Sequence, residues 1–156
     1  MQGVLIYLKI SRTQNDCDVT ELERISNIIK KDRLFHLFGM RLLDAGEGFA
    51  QLSAEVKEDF LNAHQIAHGA LIFALLDVAF AIAVNSINDA VGVQWSFNMF
   101  RSASTGDTVV AKAEVIHKGR NLLVVEFTAK SERLQKLLAQ GMATAMPFPM
   151  ERGRKA

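Results

Sequence analysis

The stretch from Asn62 to Ser86 reads NAHQIAHGALIFALLDVAFAIAVNS, and the predicted fold is built around it. From Ala70 to Val84 every residue is apolar except Asp77. The run contains no proline, follows directly on a glycine and is rich in alanine and leucine, a composition that predicts a helix. Because this helix is apolar all round, we expect it to be buried on every side.

The carboxylate of Asp77 lies at the centre of the apolar run. The run is short for a membrane span, and a charged group at its centre argues further against one. An isolated charge in an apolar environment is costly, so we expect the carboxylate to be paired, hydrogen-bonded or neutralised. Ahead of the helix, His68-Gly69-Ala70 provides free backbone N–H groups at the positive end of the helix dipole.

The composition indicates an ordinary globular domain. The 156 residues suffice for one domain with a real core, and 49% of them are apolar while 22% are charged. A net charge of +1 gives no electrostatic reason to expect nucleic acid or a membrane surface as a partner. The single cysteine, Cys17, cannot form an internal disulfide, which fits a reducing compartment. The first residues lack the basic start of a signal peptide, so we expect a cytoplasmic protein.

Hydrophobic spacing predicts the elements around the central helix. Leu22, Ile25, Ile28 and Ile29 recur at helical spacing. The predicted elements up to the end of the central helix are a helix over Val19–Leu37 capped by Asp18 or Thr20, a strand or turn over 38–46, a strand over Glu47–Lys57, a polar loop over Lys57–Ala67, and the central helix ending near Asn85-Ser86.

The last third of the chain alternates as strands do. Four strands are predicted, over 90–101, Asp107–His117, Asn121–Ser131 and Leu137–Pro147, with a tight turn at Lys118-Gly119. In the last strand, Ala139, Gly141 and Ala143 form a face small enough to lie close against a helix. Short connections favour antiparallel pairing. The sequence therefore predicts an α+β fold, with a curved antiparallel sheet wrapped around a long central apolar helix.

This pattern resembles the hotdog-fold acyl-CoA thioesterases, and within them the phenylacetate-degradation, PaaI-like branch. The resemblance covers roughly Phe38 to Phe148. It implies a single hotdog thioesterase domain over 19–148, preceded by a poorly defined N-terminal segment, 1–18, and followed by a tail, 149–156. The combination of motifs carries it: Asn62, His68-Gly69 six residues later, Asp77 eight residues beyond Gly69, a strand start at Gly106-Asp107 and a hairpin turn at Gly119-Arg120.

The resemblance implies a role for each of four residues. Asp77 corresponds to the catalytic carboxylate, as nucleophile or as general base for water. Gly69 corresponds to the residue whose backbone N–H polarises the thioester carbonyl, His68 to the histidine that helps place that carbonyl, and Asn62 to the asparagine that orients the carboxylate or water. Such a reaction places negative charge on the carbonyl oxygen, which a helix N-terminal N–H stabilises. It needs no cofactor.

The sequence departs from the family pattern at two places. Family members typically have His-Gly-Gly where this chain has His68-Gly69-Ala70, so Ala70 adds a methyl group near the acyl path. Some relatives also have a serine or threonine near positions 92–96 that binds water, and this chain offers no clear match for it.

Each site residue also has a purely structural interpretation. Asp77 could belong to a structural ion pair, Gly69 could simply begin a helix, and His68 could bind backbone in a loop. His64, His68 and Asp77 match no familiar zinc spacing, so we predict no metal site. Lys118, Arg120 and Arg101 either contact the phosphates of coenzyme A or form a solvated charged surface.

Two other functions remain open on the sequence alone: a non-catalytic acyl-CoA-binding hotdog protein, and a 2-enoyl thioester hydratase. The spacing of the site residues also bears on assembly. Gly69 and Asp77 are eight residues apart, or about 12 Å along a helix, so one helix cannot bring both to the same carbonyl. We therefore expect a homodimer with shared sites, or a homotetramer made of two dimers, with acyl-CoA as substrate and neither nucleic acid nor membrane as a partner.

Overall fold

Six strands and one long helix form the frame of the structure. The computed structural model describes residues 17–147, with side chains from Glu21 onward, so the predicted tail 149–156 and nearly all of segment 1–18 lie outside the described residues. The elements in chain order are α1 Cys17–Lys31, α2 Arg33–Leu37, β1 Arg41–Gly46, β2 Phe49–Glu55, a short 3-10 helix Glu58–Phe60, α3 Gly69–Ile87, β3 Ala90–Met99, β4 Thr108–Lys118, β5 Leu123–Ser131 and β6 Lys136–Pro147.

The strands form one antiparallel sheet in the order β1-β2-β4-β5-β6-β3. Strands β4, β5 and β6 follow one another as hairpins, whereas β3 follows α3 and occupies the far edge beside β6. The α+β class and the antiparallel sheet around a central helix, both predicted from the sequence, are confirmed.

The core lies between α3 and the inner face of the sheet. Alternate residues of β4 and β5 are fully buried while their neighbours are more exposed, as the period-two pattern predicts. The predicted inward faces are confirmed. Val115 is partly buried, and the other seven predicted residues are fully buried: Val109, Ala111, Ala113, Leu123, Val125, Phe127 and Ala129.

Helix α3 is less completely buried than its composition predicts. Twelve of its nineteen residues are buried, but one stripe remains partly or fully exposed. Residues three or four apart share one side of a helix. We call this stripe the open face of α3, and it consists of Ala70, Phe73, Asp77, Ala81 and Asn85. The expectation of burial on every side is therefore wrong for the single chain, because the sheet wraps around only part of the helix.

The same helix is long and apolar enough to cross a membrane by length and composition. However, 67% of its most apolar stretch is buried inside the fold. It is thus the core helix of the domain.

The predicted helix over Val19–Leu37 is broken at Asp32, which has extended backbone angles (φ −75°, ψ 109°). Its Oδ1 accepts a hydrogen bond from Phe35 N at 3.0 Å and so caps α2. The helical spacing continues through Asp32, but its side chain competes for backbone hydrogen bonds. The predicted caps are wrong, because α1 already includes Cys17 and so contains Asp18 and Thr20.

One detail of the hairpins differs from the prediction. Strand β4 extends through Lys118, which pairs with Leu123, and Gly119 N donates to Leu122 O at 2.8 Å. The turn therefore occupies residues 119–122 rather than Lys118-Gly119. At Gly141 the close neighbour is strand β3, because a Cβ there would overlap with the backbone of Ser96 and with Phe97. On the same side of β6, Ala139 and Ala143 are fully buried in the core.

Candidate active site

The N-terminus of α3 is capped by His68. Its Nδ1 accepts a hydrogen bond from Ala70 N at 3.0 Å, and its backbone carbonyl accepts one from Leu71 N at 3.0 Å. Because Nδ1 is an acceptor, the neutral imidazole carries its proton on Nε2. The exposed ring therefore has one N–H donor that the helix cap does not use.

Gly69 is the first residue of α3, and its N–H has no acceptor among residues 17–147. The next two N–H groups, of Ala70 and Leu71, are both taken up by His68. A Cβ at Gly69 would lie 3.2 Å from Met99 Cε and 3.3 Å from its Sδ, so glycine leaves room for this side chain. The free N–H lies at the positive end of the helix dipole, where an anionic oxygen is stabilised.

Asn62 organises the loop that leads into α3. Its Oδ1 accepts hydrogen bonds from His64 N at 2.9 Å and Ile66 N at 3.4 Å, and its own N–H donates to Ile66 O at 2.8 Å. His68 N donates to Phe60 O at 2.8 Å, which anchors the end of the loop. The side-chain oxygen of Asn62 is thus committed to the loop. The Nδ2 amide group is the part of this side chain left to contact a carboxylate or water.

Asp77 lies on the open face of α3, and its carboxylate has no hydrogen-bond or ion-pair partner in the described part of the chain. Burial raises the pKa of this carboxyl above its usual value, and the negative charge of Asp32 raises it further. Asp32 lies at the break between α1 and α2. Of the three expected compensations, an ion pair and a hydrogen bond are not found within the described residues, whereas the raised pKa favours the third, the neutral form.

Aromatic side chains line the sheet side of the open face. Phe73 stacks on Phe97 of β3 with ring centroids 5.4 Å apart and planes 6° apart. Phe97 in turn meets Phe127 of β5 edge to face at 6.1 Å. Phe73, one turn before Asp77 on the open face, gives the surroundings of Asp77 an apolar, aromatic character.

The three basic residues predicted to contact coenzyme A are not brought together in one chain. Arg101 donates to Leu137 O at 3.2 Å, at the end of the sheet where α3 begins. Lys118 forms an ion pair with Glu47 at 3.0 Å, at the opposite end, where Arg120 lies in the exposed turn after β4. Lys118 pairs with Leu123 on β5, which pairs with Ala145 on β6. Leu137 and Ala145 are eight residues apart on β6, so the two groups of basic residues are separated by roughly 26 Å along the strand.

Two neighbours of the predicted residues were missed. Asp32, 45 residues before Asp77 in the sequence, raises the pKa of Asp77 through its negative charge. An aspartate before a short helical pattern indicates a helix cap, and the sequence contains no other signal for Asp32. Met99 lies over Gly69 from the end of β3, and no sequence signal indicated this contact. Within residues 17–147, no three or more His, Cys, Asp or Glu side chains form a group that could hold a metal ion.

Comparisons with known proteins agree with this fold. Residues 64–137 match the family model described as the thioesterase superfamily. The acyl-coenzyme A thioesterase PaaI of Escherichia coli is 33% identical over 111 residues, which cover 70% of this chain and 79% of that protein. The solved structure of the E. coli PaaI protein from the phenylacetic acid degradation operon superposes with a TM-score of 0.81 at 28% identity, covering 85% of this chain and 96% of that one.

A second solved structure, smu.793 from Streptococcus mutans UA159 bound to acetyl CoA, gives a TM-score of 0.67 at 29% identity and covers 70% of this chain and 88% of that one. The chain therefore belongs to the thioesterase superfamily, in its PaaI-like branch of hotdog-fold thioester hydrolases. The family resemblance inferred from Asn62, His68-Gly69 and Asp77 is confirmed, while the roles of these residues stay predictions.

Proposed function

We propose that this protein hydrolyses acyl-CoA thioesters to a free acid and coenzyme A, at sites that two chains share. One observation carries the proposal: α3 presents an N–H without an acceptor at Gly69 and a carboxylate without a partner at Asp77, among the described residues. The E. coli relative named an acyl-coenzyme A thioesterase and the S. mutans neighbour bound to acetyl CoA support coenzyme A as the thiol.

The proposed oxyanion hole consists of two N–H groups at the start of α3. Attack on the thioester carbonyl turns its oxygen into an oxyanion, and the free N–H of Gly69 donates to that oxygen. The Nε2–H of His68, which the helix cap leaves unused, is a second donor for the same oxygen. Both donors are held in place before the substrate arrives, so the reaction pays little to reorganise them.

The proposed attacking group is the carboxylate of Asp77 or a water that it deprotonates. In the first case the carboxylate forms a mixed anhydride that water hydrolyses, and in the second case water forms the acid directly. The thiolate of coenzyme A leaves in both cases. The raised pKa of Asp77 makes its carboxylate a stronger base once it is ionised. The Nδ2 group of Asn62 is proposed to orient the carboxylate or the water.

The proposed unit is a homodimer in which the two copies of α3 run antiparallel across a two-fold axis. Gly69 and Asp77 of one chain lie about 12 Å apart along α3, too far to act on one carbonyl carbon. Antiparallel pairing places Gly69 opposite Asp77 of the partner subunit. It would also cover the open face of α3 and the exposed edge of β3. Pairing of two dimers into a tetramer is compatible with this arrangement.

A shared site also accommodates the positions of the basic residues. Within one chain Arg101 lies near Gly69, whereas Lys118 and Arg120 lie near the other end of α3. In an antiparallel dimer, Arg101 of one chain lies at the same end of the helix pair as Lys118 and Arg120 of the partner subunit. These basic side chains could then contact one coenzyme A molecule. Ala70, exposed beside Gly69, is proposed to influence the choice of acyl chain. The cytoplasmic location and the domain bounds 19–148 stay predictions.

A thiol-release assay tests the proposal directly. The purified protein is mixed with short, medium, long and aryl acyl-CoAs, and free thiol is measured alongside the absorbance of a 2-enoyl-CoA. We expect thiol release by the wild type and a loss of several orders of magnitude in Asp77→Ala. Binding of acyl-CoA without thiol release would instead indicate a non-catalytic binder. Loss of enoyl absorbance without thiol release would indicate a hydratase.

A further inference from the structure

Trp95 on β3 carries a buried indole Nε1 that has no hydrogen-bond partner within the described residues. An indole N–H is a donor only, and leaving a buried donor without an acceptor is costly. Such an orphan group in a native structure is uncommon and calls for an explanation. The explanation proposed here comes from what lies next to the indole.

The backbone of β3 is built to aim this side chain at α3. The pairing of β3 with β6 shifts register between Gly92 and Gln94, which is a β-bulge. Bulges redirect side chains and are frequent beside active sites. A Cβ at Gly92 would overlap with Cζ2 and Cη2 of Trp95 and would approach Phe80 within 2.9 Å. Both the bulge and the glycine therefore make room for the indole where it lies.

The indole packs against two aromatic side chains of α3 that flank Asp77 along the helix. Its ring centroid is 6.3 Å from that of Phe73 and 5.6 Å from that of Phe80. Phe73 and Phe80 come four residues before and three residues after Asp77, so all three share one side of the helix. Trp95 thus brings an unpaired donor beside the two side chains that flank the unpaired carboxylate of Asp77.

We propose that Trp95 is a positioning residue whose Nε1–H donates a hydrogen bond to the Asp77 carboxylate when an acyl-CoA occupies the site. The proposal rests on the thioesterase function proposed above. The two groups are not hydrogen-bonded in this structure, and catalytic hydrogen bonds are often long in the free enzyme and shorten when the substrate binds. The bond would fix which oxygen of Asp77 faces the thioester.

The proposed hydrogen bond would stabilise the ionised form of Asp77, which its surroundings disfavour. Burial and the charge of Asp32 both raise the pKa of Asp77 and so disfavour its ionised form. Asp32, which caps α2, carries the negative charge that raises the pKa of Asp77. Trp95 on β3, by contrast, is neutral. A hydrogen bond from a neutral donor stabilises the carboxylate without supplying a proton, because an indole N–H does not titrate in the working range.

Because Trp95 is the only tryptophan in the chain, its indole gives a single ¹⁵N–¹H signal. We would follow that signal against pH in the wild type, in Asp77→Asn and in Asp77→Ala, with and without S-(2-oxopropyl)-CoA, a non-hydrolysable ketone analogue of an acyl thioester. We expect the analogue to move the wild-type proton signal downfield. We also expect the signal to titrate in the wild type and to lose its pH dependence in Asp77→Asn.

A signal that changes with neither pH nor bound analogue would overturn the proposal. An equal response to the analogue in Asp77→Ala would also overturn it, because alanine has no side-chain acceptor and the N–H would then donate to the ligand. Failure of the analogue to bind, measured separately by calorimetry, counts against the proposed substrate. The pH titration of the free protein still tests whether Trp95 responds to Asp77 in that case.

The matched variants Trp95→Phe and Trp95→Leu separate the N–H from the ring. Trp95→Phe keeps an aromatic wall and removes the donor, so we expect kcat to fall about tenfold or more, KM to change little, and the acidic limb of the pH profile to move to higher pH. Trp95→Leu should add a rise in KM. An unchanged kcat and pH profile in a folded Trp95→Phe protein would reduce Trp95 to a packing role.

Discussion

His68 Nδ1 accepts the N–H of Ala70 at 3.0 Å, so the residue just before Gly69 uses one ring nitrogen to begin α3. The same bond sets the proton of the neutral ring on Nε2. One side chain therefore has two separable tasks, a structural one at Nδ1 and a proposed catalytic one at Nε2. The two tasks can be tested independently.

The first prediction concerns His68→Asn and His68→Ala. Asparagine is a good N-cap and should keep the stability of α3, whereas alanine should lower the free energy of unfolding by about 0.5–2 kcal/mol. Both variants lack the Nε2–H and should lose turnover to a similar extent. Urea unfolding and thiol release measure the two effects. Full activity in His68→Asn would show that His68 acts only as a cap.

The second prediction concerns the N–H of Gly69. Gly69 is the first helical residue, where proline is well tolerated, and His68 already has the extended angles (φ −63°, ψ 137°) that a residue before proline prefers. Gly69→Pro should therefore fold and yet lack the donor, so we expect turnover to fall about a hundredfold or more.

Gly69→Ala is the matched control for that variant, because it keeps the N–H and adds only a methyl. That methyl meets the flexible end of Met99, which can shift. Its loss of turnover should be much smaller than that of Gly69→Pro. Similar losses in the two folded variants would argue against a backbone oxyanion hole at this position.

The third prediction is a pH-dependent difference in stability between the wild type and Asp77→Asn. The pKa of Asp77 is raised in the folded state, so its contribution to stability is fully present below its unfolded pKa and is lost as pH rises through the folded pKa. Asparagine has no such loss. At fixed protein concentration, the free energy of unfolding of Asp77→Asn relative to wild type should increase from acidic to neutral pH. A difference that stays constant over this range would contradict the raised pKa.

The fourth prediction is that two inactive variants restore activity together. Mixing Asp77→Ala with Gly69→Pro should yield hybrid dimers in which one site has both Gly69 and Asp77 of the partner subunit. With random exchange at equal amounts, half of the dimers are hybrids with one working site of two, giving about a quarter of wild-type activity. Proven subunit exchange without recovered activity, or an active monomer in sedimentation, would rule out shared sites.

The elements that follow from local pattern were predictable from the sequence. The composition of residues 70–84 predicted α3, and alternation of apolar residues predicted the inward faces of β4 and β5. The break at Asp32 was not predicted, because Leu34 continues the helical spacing while a single side-chain hydrogen bond ends the helix. The open face of α3 was not predicted either, since composition does not tell which side of a helix the sheet leaves uncovered.

The candidate site was predictable only as far as it lies on one continuous stretch. His68, Gly69 and Asp77 belong to α3 and its cap, so their spacing alone placed them. The effect of Asp32 on Asp77 depends on how α2 packs, and the separation of Arg101 from Lys118 depends on the strand order. Neither relationship leaves a trace in residue spacing, because both arise from contacts between distant parts of the chain.

The position of α3 before β4, β5 and β6 in the chain has a consequence for biosynthesis. A ribosome finishes this apolar helix before it makes the forty residues from Thr108 to Pro147 that supply three of the strands over it. At about 5–20 residues per second, those residues take roughly 2–8 s to synthesise. During that interval the apolar residues of α3 lack the three strands β4, β5 and β6 that complete the sheet over them. The burial of α3 beneath β4, β5 and β6 therefore waits until Pro147 has been made, although the helix itself is finished sixty residues earlier.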